Sequence, residues 1–434
     1  MRRGEALFLK VLLLVSGYSA GLGEFALSHG MASPSRRPAP QADGVASAWG
    51  SRSSTKLAPG VNHIPISPDV AQRSRPYYNP GTTLPGEEHV SHLEEEIAEQ
   101  PAVLERLLRE EGRNVHDIAR AIRQREPRFV YVAARGTSDH AGTYGKYLLA
   151  SACSLPVALA TPSLFTIYGK PPCLRGALVL GISQSGHSPD IVEVVAEGRR
   201  QGAVTLGITN NPDSPLAAAA EFTLPVHAGE EHAVAATKTY TAQLTALALL
   251  AVALAGDSSL WADLERLPEH MARALELSGQ ALGRVERYRY MERCVLIGRG
   301  YNYATALEIA LKLKELTYVV AEPYSSADFR HGPIAIIEQG FPVILVAPHG
   351  AVYHDLMALA LDLRAREAEL VVISDEPEAL GLAQTPFPLP AQVPEWLSPI
   401  VAVVAGQRFA AALTKAKGYD LDQPRGLRKV TRTT

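Results

Sequence analysis

Cysteine is scarce in this sequence. Cys153, Cys173 and Cys294 are widely spaced, with no CxxC pair and no cluster of histidines beside them. That spacing argues against a disulfide framework or a thiolate metal site and fits reduced thiols in a cytosolic protein. Net charge is nearly absent too, at −3. No overall field favours nucleic acid or an anionic membrane, so any anion site has to be local. No apolar run is long enough to be a convincing bilayer span. The longest, Leu244 to Gly256, suits a buried core helix. A helix-turn-helix pattern with a basic recognition helix is also missing, which disfavours a transcriptional regulator.

The first 85 residues are poor in acids. They hold Glu5, Glu24, Asp43 and Asp69 against nine Lys and Arg, together with nine of the 31 prolines. Stretches such as ASPSRRPAPQADG cannot bury enough apolar surface to fold alone. Residues 1–88 are therefore expected to be a disordered or misassigned N-terminal extension. Its opening mimics a secretion signal, with Arg2 and Arg3 before an apolar run. Lys10 interrupts that run and Glu5 sits in the basic region, so the expected location is cytoplasmic, with Met31 as an alternative start.

The remaining chain is rich enough for a large core: 47% of the 434 residues are hydrophobic and 20% charged. The length points to about two or three domains. Amphipathic helical patterns fill 89–126. From Arg128 short apolar strands alternate with helices: RFVYVAARG, PVALA, ALVLGIS, AVTLGIT and FTLPV. That alternation implies an α/β fold with a parallel sheet covered on both faces. The pattern then recurs. VYVAARG matches VLIGRG, both ending in Arg-Gly, and one interval separates Arg135 from Gly186 and Arg299 from Gly350. AVTLGIT matches ELVVIS, and FTLP matches FPLP. An internal duplication follows. It gives two tandem doubly wound domains, 127–280 and 281–434, with a helical segment around 258–288 joining them and a cleft between.

Four motifs carry chemistry. ISQSGHSPD follows a strand and opens a helix, with Ser188 as N-cap and Pro189 at the first helical position. Ser183, Gln184, Ser185 and Ser188 bring polar groups around a glycine at the carboxyl end of a strand, where such sheets bind ligands. A helix N-terminus favours an anion, and the absence of Lys or Arg in the loop suits a small phosphate better than a metal-bound nucleotide. ARGTSDHAG is a second strand-to-helix turn, with donors on Thr137 and Ser138. EEHAVAATKTYTAQL leads into an apolar helix, and its charge alone reads as a surface loop. The fourth is LEIALKLKEL, Leu307 to Leu316, followed by AEPYSSADFRHGP. At about 100° per residue, Glu308, Lys312 and Glu315 share an arc of roughly 60°, with Lys314 well away from it. An exposed stripe of this kind contributes only tenths of a kcal/mol per pair, but the apolar flanks argue against full solvation.

Together ISQSGHSPD, ATKTYTAQL, ALEIALKLKEL, AEPYSSADFRHGPIA and the tail DLDQPRGLRKV resemble the sugar isomerase (SIS) double-domain family over residues 90–434. The similarity is greatest to the isomerase half of glucosamine-6-phosphate synthase and to SIS-type glucosamine-6-phosphate deaminases. The resemblance implies that Ser183, Gln184, Ser185 and Ser188, with Thr137 and Ser138, hold a sugar phosphate. It implies Glu315 as the proton-transfer base, with Lys312 and Glu308 on the same helical face. It further implies that His331 opens the sugar ring from across a homodimer interface and that Lys429 forms a Schiff base with the open-chain sugar. By the same resemblance Val234 and Ala236 are expected to line the sugar; the synthase pattern has Ser where Ala236 stands.

A carboxylate in an apolar setting can shuttle a proton between adjacent carbons, Lys312 can stabilise an enolate oxygen, and an iminium activates the carbon that gains or loses the amine. Such chemistry needs neither metal nor organic cofactor. Residues 1–90 contain no cysteine and few core residues, so no glutaminase domain of the synthase kind is expected there. The expected reaction interconverts glucosamine 6-phosphate, or a close isomer, with fructose 6-phosphate and ammonia, in the deaminating direction. Three alternatives stand beside it: an ammonia-dependent synthase, a pure aldose–ketose isomerase, and a non-catalytic sugar-phosphate sensor. The expected partner is a small amino-sugar phosphate, not nucleic acid or membrane.

Overall fold

The computed structural model describes residues 90–429. The expected N-terminal extension, 1–88, lies outside them. The ladder begins with three helices, α1 (His92–Ala98), α2 (Gln100–Glu111) and α3 (Asn114–Gln124). In α1 the Ser91 side chain accepts from the Glu94 amide, so the first helix is capped by its own sequence. Leu93, Ile97, Val103, Leu104, Leu107, Val115 and Ile118 form the buried stripes of this lead-in.

The first sheet contains β1 (Phe129–Ala133), β2 (Val157–Leu159), β3 (Ala177–Ser183), β4 (Val204–Thr209) and β5 (Phe222–Pro225). All pairings are parallel, in the order β2-β1-β3-β4-β5. Every residue of β3 and β4 is buried, as continuous apolar runs with helices on both faces require. The helices that matter for the site are α4 (Thr137–Cys153), α5 (Pro189–Arg200) and α6 (Lys238–Ala255), followed by α7 (Leu267–Gly279).

The second sheet repeats the first. Strands β6 (Arg293–Gly298), β7 (Val320–Ser325), β8 (Pro342–Val346), β9 (Glu369–Ser374) and β10 (Thr385–Pro388) run in the order β7-β6-β8-β9-β10, again parallel. Its main helices are α8 (Tyr303–Thr317), α9 (Tyr353–Ala365) and α10 (Ser398–Ala416). Strand β7 has no apolar run to announce it. It is an edge strand, with Val320 exposed and Glu322 and Pro323 along it. The α/β class, two doubly wound sheets and the duplication are as the sequence implies. We place the division between the two domains at 280/281, after α7, as a proposal.

The domains share one apolar layer. The largest cluster runs from the lead-in helices through α6 and the inner faces of both sheets into α8 and α10. Each sheet keeps a separate, smaller cluster on its outer face. Helices α6 and α10 are long and apolar enough to cross a membrane, yet the relevant windows are 94% and 89% buried inside the protein, so both are core helices. The three cysteines are free, and burial pushes the Cys153 thiol up to about 11 and that of Cys294 to about 12.

Helix α8 carries the charged stripe, and its position depends on one close approach. Gly406 of α10 faces Ile309; a Cβ there would lie 2.2 Å from Ile309 Cγ1. Replacing Gly406 by Ala should overpack this contact and cost about 1–3 kcal/mol, read from the urea midpoint.

Candidate active site

In each sheet the strand order reverses between two central strands, β1 and β3 or β6 and β8. Ligands of doubly wound sheets bind outside the carboxyl ends of strands at such a point. In the first domain the loops there are Arg135–Thr137 after β1 and Gln184–Ser188 after β3. Gly186 makes the second possible: its φ is +67°, and a Cβ would lie 2.1 Å from Ser214 Oγ. Ser183 Oγ accepts from the Gly186 amide at 3.1 Å and Ser185 Oγ from the His187 amide at 3.2 Å. These bonds fix the loop while leaving the hydroxyl protons free to donate. Gln184 anchors it through its carbonyl, which accepts from Asn210 N at 3.1 Å.

Ser188 differs from the sequence expectation in one respect. It sits at the N-cap position before Pro189, but its side chain makes no capping bond. Its hydroxyl lies 3.4 Å from Ser183 Oγ and faces the cleft. It is thereby available to a ligand at the N-terminus of α5.

The cleft has a volume of about 430 Å³, within the range of small-molecule sites. Thr137, Ser138, Ser183, Gln184, Ser185 and Ser188 form one wall. Lys312 and Glu315 of α8 stand on another, and Val234 and Ala236 come from the loop before α6. Lys429 arrives from the C-terminal tail with Leu427 and Arg428. Eleven of the thirteen sequence-nominated residues thus border the cleft, all but Glu308 and His331; Lys312 reaches it by its ammonium end, its side chain being 1% exposed.

Glu308 is a correction. It was expected beside Lys312 and Glu315 at the ligand, but it is fully buried behind the wall. Its carboxylate accepts from Thr137 Oγ1 at 3.1 Å, contacts His140 Nδ1 at 2.7 Å and lies 3.4 Å from Lys312 Nζ. Lys312 Nζ reaches forward to Glu315 Oε2 at 2.6 Å. The stripe is therefore layered in depth, with one carboxylate inside, one at the cleft and the ammonium between them. Burial alone would lower the Lys312 value, but the charges of Glu308 and Glu315 outweigh it and raise it above the ordinary 10.5.

His331 lies elsewhere, exposed in the turn after Ser326–Arg330 and not on this chain's cleft. Lys314 is exposed on the opposite side of α8.

The loop before α6 is no surface loop, because its charges are matched. Glu96 of α1 accepts from the His232 and Ala233 amides, and buried Lys238 pairs with Glu99 at 2.7 Å. Glu231, fully buried, accepts from Thr237 N at 2.9 Å and Thr239 N at 3.2 Å and binds Lys429 Nζ at 2.6 Å. The tail is itself fastened. Asp422 accepts from the His92 and Leu93 amides at 3.0 and 3.1 Å, and Arg425 stacks over Tyr318 at 3.7 Å.

Sequence reasoning missed Arg135, His140 and Glu231. Arg135 was visible as half of the repeated Arg-Gly; its Nε bonds buried Asp190 at 2.8 Å, and Arg299 bonds Asp355 at 3.0 Å in the second domain. That second switch point is filled from within. The Glu395 carboxylate accepts from Ala351 N at 2.9 Å and closes on Gly350, whose Cβ would lie 2.3 Å from Glu395 Cδ. Nearby, His349, Asp375 and Glu376 approach one another closely enough to hold a metal ion, but Asp375 already takes the His349 amide at 2.8 Å and its ring nitrogen.

With this geometry established, comparison with known proteins is specific. A family model described as SIS domain matches residues 125–253 and 289–379. The glutamine–fructose-6-phosphate aminotransferase [isomerizing] of Thermus thermophilus is 38% identical over 354 residues, covering 78% of this chain and 58% of that one. The chain thus spans less than two-thirds of the length of that relative. Among solved structures, a protein of Silicibacter pomeroyi provisionally described as a phosphosugar isomerase superposes with a TM-score of 0.70 at 34% identity, covering 77% of this chain and all of that one. The C-terminal domain of glucosamine-fructose-6-phosphate aminotransferase from Francisella tularensis does so with a TM-score of 0.70 at 26% identity, covering 79% of this chain and all of that one.

Removing the central ammonium tests the layered stripe. Lys312→Met leaves Glu308 buried without its cation and should cost about 3–5 kcal/mol in urea unfolding, partly recovered in Lys312→Met/Glu308→Gln. The raised Lys312 value gives the sign with pH. Its stabilisation is fully present below 10.5 and is lost as pH rises through the higher folded-state value, so Lys312→Met should flatten the alkaline limb of the stability curve.

Proposed function

The chain belongs to the SIS-domain family, and from that premise we propose that it interconverts glucosamine 6-phosphate, or a close isomer, with fructose 6-phosphate and ammonia. One observation carries the reading: a hydroxyl-lined loop at a helix N-terminus, a carboxylate with an ammonium beside it, and a second amine all border one cleft of sugar-phosphate size. The loop groups Thr137, Ser138, Ser183, Gln184, Ser185 and Ser188 hold the phosphate through neutral donors and the helix dipole. In the aminating direction, Lys429 adds to the open-chain ketone of fructose 6-phosphate and water leaves to give an iminium; ammonia then adds to the same carbon and the lysine amine leaves, giving a free sugar imine that draws electrons from the neighbouring C–H bond. Glu315 takes that proton and returns it to the adjacent carbon, serving both positions from one side. Lys312 lies 2.6 Å from Glu315, placed to balance its charge and that of an enolate oxygen. Val234 and Ala236 pack the sugar body, and Ala236 offers it no hydroxyl. Glu308 acts indirectly, holding Lys312 and Thr137 in place.

His331 acts across a homodimer in this proposal: His331 of the partner subunit opens the sugar ring. Its exposure here, away from this chain's own cleft, supports that reading. None of these steps calls on a metal or an organic cofactor, and the setting we propose is cytoplasmic. Amination, the reverse direction, is a second reading, favoured by the name of the Thermus thermophilus relative. The residues serve both directions, because each step is microscopically reversible, and the prevailing ammonia concentration selects between them.

The test is ammonia release from a panel of amino-sugar 6-phosphates, paired with hexosamine phosphate formation from fructose 6-phosphate and ammonium. Glu315→Gln should lower the rate about 10²–10⁴-fold. Exposed Lys314→Ala should stay within about twofold of the parent. Activity surviving in Glu315→Gln removes the proposed base, and a protein silent in both directions removes the reaction.

A further inference from the structure

A lysine that is to become a Schiff base must first lose a proton, because an ammonium nitrogen has no electron pair to offer. The tail amine of Lys429 has two contacts in the structure. The carbonyl oxygen of Ala233 lies 2.6 Å away and Glu231 Oε2 also lies 2.6 Å away. A peptide carbonyl does not accept a proton at neutral pH; a carboxylate does. Glu231 is fully buried and directed. Its Oε1 is occupied by the Thr237 and Thr239 amides, while Oε2 takes the Thr239 hydroxyl at 2.8 Å and the Lys429 ammonium. The other carboxylate of the cleft, Glu315, is paired with Lys312. Glu96 of α1 and Lys312 of α8 also face Glu231, one of each sign.

We propose that Glu231 is a second catalytic carboxylate, the acid–base group for Schiff-base formation, separate from the carbon acid–base work of Glu315. The inference rests on the role of Lys429 in the proposed function. Glu231 Oε2 takes one proton from the ammonium, and the freed pair forms the C–N bond to the carbonyl carbon. Glu231 passes that proton to the carbonyl oxygen, giving a carbinolamine. It then takes a second proton from nitrogen and delivers it to the hydroxyl, which leaves as water while the nitrogen pair forms the C=N bond. The ammonium and ketone have become an iminium and water, and Glu231 is again a carboxylate. No oxidant, metal or further reactant enters the balance. The two amides on Oε1 keep the carboxylate from rotating away, so the same oxygen serves both transfers.

The experiment is single-turnover trapping. Protein is mixed with fructose 6-phosphate, quenched with borohydride at set times, and the adduct on Lys429 is quantified by mass spectrometry. Glu231→Gln should slow trapping about 10²-fold or more, whereas the Kd for fructose 6-phosphate should move less than about threefold. A trapping rate within about threefold of the parent overturns the proposal. The parent itself, with Lys429→Ala as control, reports the underlying reading: if the parent gives no adduct, the role of Lys429 fails, not that of Glu231 alone. Because Glu231 also secures the start of α6, a second pair of variants separates chemistry from loop structure. Glu231→Asp, which withdraws the carboxylate from the amine, is therefore compared with Thr239→Val, which removes one loop bond and keeps the carboxylate. Slow trapping in Glu231→Asp alone supports the acid–base role; equal slowing in both assigns the effect to loop structure and overturns it.

Discussion

A lysine with 1% of its side chain exposed, held between two carboxylates of its own helix, is the constraint around which the rest of the site is arranged. An ammonium in such a place is costly unless its charge is matched. Glu308 matches it from inside the protein and Glu315 from the cleft, so each carboxylate has a reason to be where it is beyond contact with any ligand. Thr137 then hydrogen-bonds Glu308 across the domains, bringing the start of α4 to the side of α8. The loop after β3 and helix α8 belong to different halves of the chain, and this buried polar cluster sets their separation. The shared apolar layer supplies adhesion between the halves; the ion cluster supplies registry.

The other wall is organised by a similar exchange. Glu96, from a helix preceding the first sheet, and Glu231 hold the loop that carries Val234 and Ala236, and the tail closes over it. Asp422 ties the tail to the first turn of α1, 330 residues away in sequence, through two backbone amides. Lys429 is thus delivered to the cleft by a segment without regular secondary structure whose course is set by point attachments.

The sheets were legible because buried parallel strands must be continuous apolar runs, and β1, β3, β4, β6, β8 and β9 are. Strand β7 was not, because an edge strand can carry Glu322 and Pro323 without burying a ladder group. The stripe on α8 could be found by periodicity, but periodicity measures angle about the helix axis and not depth, so it could not distinguish buried Glu308 from cleft-facing Glu315. Ser188 looked like a capping serine because position alone says nothing about where a hydroxyl points. Glu231 and Arg135 were hidden for another reason: their partners, Lys429 and Asp190, are far off in sequence, and a charge in a loop reads as solvated until the fold supplies its counter-charge. The roles of the nominated residues came from resemblance, and composition had no means of giving them.

Glu395 gives the duplication a consequence in stoichiometry. The two halves repeat the same switch point, but the second loop already holds a carboxylate that is part of the chain. Dissolved anions must compete there with a group at permanent, very high effective concentration, whereas the first loop offers them free hydroxyls. Among the described residues, one of the two switch-point loops is therefore left open, despite the two-fold ancestry. An anion that bound only at such loops would saturate each chain along a single hyperbola, and a sigmoidal response would have to arise between chains.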